Sequence, residues 1–200
     1  MSDAAAIAQV DTLMRDYAGS VPGASVLVLR DGRPAVRRSY GLADLEHGTA
    51  ASPATNYRLA SITKQFTAAA ILLLNEAGKL HLDDPVRKWL PELPDATESV
   101  TIRNLLTHTG GLADYEDSVP DDAPRVHDAD VLRILATQNR TYFKAGSSYR
   151  YSNSGYSLLA LIVERASGQR FARFLHDRIF EPLDMQATVA LEDGDRRAHV

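Results

Sequence analysis

Residues 24–41 set the first constraint on how this chain can fold. Ser25-Val-Leu-Val-Leu-Arg30 is followed by Asp31-Gly32 and then by Pro34 to Tyr40. Both residues of an Asp-Gly pair tolerate positive φ, so the pattern predicts a tight antiparallel hairpin. Val26 to Leu29 are four consecutive apolar residues, which predicts a strand buried on both faces with helices covering it. One candidate cover is a helix over residues 4–18, with Ile7, Val10, Leu13 and Met14 on one face. Gly19 and Pro22-Gly23 end that helix.

After residue 41 the sequence carries no further confident strand pattern. The periodicity instead predicts helices at about 61–77 (closed by Gly78), 101–107, 129–137 and 154–167 (stopped by Gly168), with one more built on Phe171, Phe174, Leu175 and Ile179 and ended by Pro182. Pro85, Pro91 and Pro94 mark turns between short helices. The acidic stretch Asp114 to Asp128, with Pro120 and Pro124, reads as an exposed, solvated loop. No repeat or linker interrupts the 200 residues, which predicts one domain. A lone hairpin is a poor sheet. The expectation is therefore an α+β chain with a hairpin at about 24–41 and a helical region at about 50–182. Its hairpin edge would be covered by a second chain, a swapped copy or the remainder of the polypeptide.

Composition limits the partners. Hydrophobic residues make up 44% and charged residues 24%, the proportions of a soluble globular protein, and the net charge is −4. A nucleic acid or an anionic membrane would call for a basic face, so neither is expected as a partner. The longest apolar run, Phe66 to Leu74, contains Thr67 and is too short to span a bilayer. The absence of cysteine excludes disulfides, thiolate metal sites and a cysteine nucleophile. The start shows no basic segment followed by an apolar core, so a cytoplasmic location is expected if Met1 is the native start, and a periplasmic or secreted one if a signal peptide was removed. The six histidines lack metal-ligand spacing, and no metal or cofactor is expected.

Chemistry concentrates in two short segments. In Ser61-Ile-Thr-Lys64 the serine and lysine are three apart, hence on one face of a helix, one turn from each other. A serine in the first turn sits where N–H groups and the positive dipole end favour developing negative charge. The ammonium lowers the cost of an alkoxide, and the neutral amine can accept the proton itself. The bland alternative is a helix-capping serine followed by a surface lysine. With 14 serines and four lysines in the chain, about 0.3 such pairs are expected by chance. In Tyr151-Ser-Asn153 a polar turn leads into a helix, where the phenol and the amide two residues on point to one side if the backbone is extended. Here the bland alternative is capping and packing.

With Leu105-Leu-Thr-His-Thr-Gly-Gly-Leu112 between them, these motifs resemble the serine β-lactamase and penicillin-binding-protein superfamily, in its class C β-lactamase-like branch of esterases and D-amino-acid peptidases. Tyr57-Arg-Leu-Ala60 and Gly78-Lys-Leu-His-Leu-Asp-Asp-Pro85 add to the likeness, which runs from about residue 20 to 188. The resemblance implies the β-lactamase/transpeptidase-like fold. It also implies Ser61 as the acylated nucleophile, Lys64 as proton acceptor, Tyr151 as general acid and base with Lys64, and Asn153 binding the acyl-side amide or carboxylate of the substrate. The backbone N–H of Ser61 would form half of an oxyanion hole. The implied substrate is a small ester or amide: a carboxylic ester, a β-lactam or a D-amino-acid peptide. The family's third motif, Lys/His-x-Gly on a late strand, is missing; His108-Thr-Gly110 spells it but lies between the first two motifs and reads as loop structure. This departure feeds the rival expectation, a non-catalytic binding protein or an inactive fragment.

Overall fold

The computed structural model describes residues 3–120 and 122–191. They fall into two compact units, which divide between Arg58 and Leu59.

The first unit holds helix α1 (Asp3–Leu13) and strands β1 (Ala24–Arg30), β2 (Arg33–Tyr40), β3 (Leu42–Asp44) and β4 (Thr49–Ala50). β1 and β2 form the expected hairpin, with Arg30 opposite Arg33 and with Asp31 and Gly32 at φ 50° and 74°. Positive φ at both positions is the turn whose twist matches its strands. α1 packs on β2, where Tyr40 Oη donates to Asp11 Oδ1 at 2.6 Å. Ile7, Val10 and Met14 are half-buried, but Leu13 is exposed and the helix stops short of residue 18.

The apolar run departs from expectation. Leu27, Val28 and Leu29 are 60%, 41% and 59% exposed, while Ala35 and Val36 of β2 are buried. The cause is neighbour count: β1 pairs only with β2 among the described residues, and two strands cannot bury both faces of a strand. The β3–β4 ladder was not legible, since three-residue and two-residue strands leave no alternation to count. Gly41 between the ladders is obligatory. At φ +67° a Cβ there would lie 2.7 Å from the carbonyl oxygen of Val21.

The second unit is helical: α2 (Lys64–Glu76), α3 (Val86–Trp89), α4 (Ile102–Leu106), α5 (Asp128–Ala136), α6 (Asn153–Ser167) and α7 (Phe171–Leu175), the last continuing as a π-turn to Phe180. α6 is central, with α2, α4, α5 and α7 all packed on it. Its Leu158, Leu159, Ile162 and Val163 are buried with Ile71 and Leu74 of α2, Ile102 and Leu105 of α4, and Phe174 of α7. Both ends of α6 are capped. Ser152 Oγ accepts the Gly155 N–H at 3.1 Å, and Gly168, at φ +73°, turns the chain out. The mixture of helices and short antiparallel strands agrees with the α+β reading. Among the described residues no helix is long and apolar enough to cross a membrane.

Two leucines of α2 give a direct test of this packing. Leu74 is 4% exposed and Leu72 is 51% exposed. Leu74→Ala is expected to cost about 2–5 kcal/mol in denaturant unfolding and Leu72→Ala no more than about 1 kcal/mol. Equal costs would contradict the burial of Leu74 in the α2–α6 contact.

Candidate active site

All four residues singled out in the sequence meet in the second unit. Ala60 to Thr63 form a 3-10 turn that runs directly into α2. Ser61 therefore lies just ahead of the α-helix rather than inside it, and its side chain caps neither turn nor helix. Ala60 is held at φ +47°, a left-handed conformation unusual for a residue with a Cβ.

Lys64, half-buried, reaches back one turn, with its Nζ 3.2 Å from Ser61 Oγ. From the other segment the Tyr151 hydroxyl lies 2.5 Å from the same Oγ. Lys64 Nζ also donates to Asn153 Oδ1 at 2.7 Å and sits 4.8 Å from the Tyr151 ring centroid. One ammonium thus links a serine on one helix start to a tyrosine and an asparagine on another. The two segments meet because α2 and α6 pack side by side. Ser152, extended at φ −140° and ψ 123°, caps α6 and separates Tyr151 from the first helical residue, Asn153.

The electrostatics follow from this arrangement. The Lys64 side chain, and then the Ser61 hydroxyl, hold the Tyr151 phenol below its ordinary range. A phenol whose ionisation is favoured in this way, once deprotonated, can accept the serine proton. Lys64, Tyr151 and Ser61 share hydrogen bonds, so their protons belong to the group.

Two further residues join the site that sequence reasoning placed elsewhere. His108 was read as loop structure. Its ring lies 4.6 Å from the Tyr151 ring and 5.2 Å from the Tyr156 ring, centroid to centroid. Its Nδ1 accepts the Ser152 N–H at 3.2 Å, and Arg150 N–H donates to its carbonyl at 3.0 Å. Burial, and then the nearby Lys64 charge, push the imidazole down. His108 itself sits at φ +58° in a loop anchored by Gly111, where a Cβ would lie 2.2 Å from the Phe143 carbonyl oxygen. The Leu-Leu-Thr-His-Thr-Gly-Gly segment therefore builds the wall behind Tyr151.

The second is Glu116, whose Oε1 accepts from Asn153 Nδ2 at 2.8 Å. The stretch from Asp114 was read as a solvated loop, and that reading fails at its start. Asp114 is 6% exposed, Tyr115 to Asp117 form a 3-10 turn, and Glu116 is exposed at the edge of the site. The residue names in an acidic run gave no sign that one of them faces Asn153.

As for metals, His176, Asp177 and Glu181 bring ligand atoms within 4.8 Å of one another on the exposed side of the π-turn. Asp177 is already engaged by Arg173 at 2.7 Å and His176 at 2.9 Å, and the trio is separate from the Ser61 cluster.

Comparisons with known proteins place the chain in a family. Protein flp of Staphylococcus aureus (strain MW2) is 33% identical over 200 residues, which are 96% of this chain and 40% of that protein. The chain thus spans well under half the length of this curated relative. Among solved structures, the penicillin binding protein from Bacillus halodurans superposes with TM-score 0.77 at 31% identity, over 91% of this chain and 56% of that one. EstCE1, a hydrolase with promiscuous acyltransferase activity, superposes with TM-score 0.75 at 28% identity, over 91% and 51%. The Beta-lactamase family profile matches residues 8–199, and with the β-lactamase/transpeptidase-like fold this establishes that the chain belongs to the Beta-lactamase family.

Proposed function

We propose that this chain carries the nucleophile and proton-transfer groups of a serine hydrolase that forms an acyl-enzyme on Ser61 and cleaves an ester or amide. The observation that carries the reading is the convergence of Lys64 Nζ and Tyr151 Oη on one Ser61 Oγ, at 3.2 and 2.5 Å. A structural cap or surface lysine has no reason to share a hydroxyl with a tyrosine 90 positions away.

In this reading Ser61 Oγ attacks the substrate carbonyl while its proton passes to Tyr151 or, when neutral, to Lys64. The oxyanion forms beside the Ser61 backbone N–H, at the positive end of the turn that opens α2. The carbonyl–leaving-group bond then breaks as Tyr151 returns the proton to the departing alcohol or amine. Water repeats the sequence on the acyl-enzyme, giving its proton to the same network and releasing the acid. His108 is a positioning residue: its ring supports the Tyr151 ring and its Nδ1 fixes the Ser152 backbone. EstCE1 supports the ester reading and the Bacillus halodurans protein the penicillin-binding one.

Three experiments on the complete native polypeptide test this account. A fluorophosphonate is expected to modify Ser61, read by mass spectrometry, and Ser61→Ala to abolish the label; an unmodified Ser61 would favour a non-catalytic binding protein. Lys64→Arg is expected to slow acylation nearly as much as Lys64→Ala, by roughly 10²–10⁴-fold, since a guanidinium cannot accept the proton. If Arg retains most of the rate, Lys64 acts only through its charge. Tyr151 should ionise at higher pH in Lys64→Met, because the group that holds its phenol down is gone. The phenolate difference spectrum against Tyr151→Phe measures this, and an unmoved titration would uncouple the pair.

A further inference from the structure

We propose that Tyr156 is a positioning residue of the Ser61 site, whose ring face holds the Lys64 ammonium within reach of Ser61 and Asn153. The inference rests on the acyl-transfer reading above. Lys64 Nζ lies 5.4 Å from the centroid of the Tyr156 ring and 4.8 Å from that of Tyr151. Both are inside the ~6 Å over which a ring face attracts a cation. Tyr156 follows Asn153 by three positions on α6, so the two side chains share one face of that helix. That face gives Lys64 an amide oxygen at 2.7 Å and an aromatic wall beside it. An aromatic face carries negative potential but no lone pair. It stabilises a half-buried ammonium without engaging an N–H, which leaves those donors to Ser61 Oγ at 3.2 Å and to Asn153 Oδ1.

The Tyr156 ring is itself fixed. Its hydroxyl donates at 3.0 Å to the carbonyl of Leu106, the last residue of α4, where carbonyls lack an intrahelical partner. The ring lies 5.2 Å from the His108 ring, centroid to centroid, and packs against the apolar core. Burial, and then the charge of Tyr151, push the Tyr156 phenol up, whereas Lys64 and then Ser61 hold the Tyr151 phenol down. The two phenols beside Lys64 thus differ in role. Tyr151 exchanges protons with Ser61, and Tyr156 stays neutral and tied to α4. A lysine stem is flexible. Without a wall on this side the ammonium would spread over rotamers that do not reach Ser61, and acylation would slow with the fraction left in place.

The test changes the charge of the ring face and keeps its shape. Tyr156→Phe removes the hydroxyl, and phenylalanines with one, two and three ring fluorines at the same position withdraw electron density from the face in steps. Ser61 labelling by a fluorophosphonate is followed by mass spectrometry in the complete native polypeptide. Tyr156→Phe is expected to keep the rate within about threefold, and the trifluorinated ring to label about three- to tenfold more slowly than phenylalanine. A ring that serves only packing would leave the series flat, and a flat series overturns the proposal. Lys64 also reports on the wall with position 156 unchanged. Its ε-methylene protons, assigned by isotope-edited NMR, are expected upfield of those of the exposed Lys79 and Lys144, because ring faces shield what lies over them. Part of that shift is expected to persist in Tyr151→Leu; its complete loss there assigns the contact to Tyr151 alone and overturns the role of Tyr156. If the native protein is not labelled at Ser61, the nucleophile reading fails and this inference with it.

Discussion

The contact between α2 and α6 is what the candidate site depends on. Ser61 and Lys64 come from the start of one helix, Tyr151 and Asn153 from the start of the other, and no local structure could bring them together. Ile71, Leu74, Leu158, Leu159 and Ile162 are removed from water where these helices meet. Burying each such side chain is worth about 1.5–3 kcal/mol, and together they outweigh any single hydrogen bond within the site. The polar cluster is exposed enough to gain little stability of its own. It is held in register by apolar packing beneath it, and a shift of one helix along the other by a single turn would separate Lys64 from Asn153.

Within that frame the site is organised as layers of support. Lys64 divides its donors between Ser61 and Asn153. Behind Tyr151, His108 fills the space and holds the Ser152 N–H. Behind Asn153, Glu116 accepts the amide and is itself fixed by the Asp114–Ser154 bond. Each reactive group thus has a neighbour that limits its freedom, the condition under which hydrogen-bond geometry survives until a substrate arrives. The left-handed backbone at Ala60 and His108 fits the same logic. Local strain of this kind collects at reacting sites, and here it borders Ser61 and the Tyr151 ring.

Much of this was legible in the sequence, and the limits have physical causes. The Asp31-Gly32 turn and the stop at Gly168 are local events written in residues that only certain dihedrals suit. The spacing of Ser61 and Lys64 was enough to place both on one face. The burial of Val26 to Leu29 was misjudged because burial depends on neighbours, and a strand cannot encode how many others lie beside it. His108 and Glu116 were assigned to loops for a related reason. Loop residues have no periodicity, so nothing in their order says which side chain turns inward. The dense polar turn from Gly146 to Gly155 and the Gly110-Gly111 pair were the available signals, and they pointed to the loops without naming the residues.

The central claim is that Lys64 and Tyr151 act on Ser61 as one proton network rather than as two separate aids. A double-mutant cycle on the rate of Ser61 acylation measures this directly, with Lys64→Met, Tyr151→Phe and the combination compared in the complete native polypeptide. If the network is one unit, the double variant is expected to be about as slow as the slower single variant, since removing either member already breaks it. Rate losses that multiply across the two substitutions would show independent roles and contradict the account.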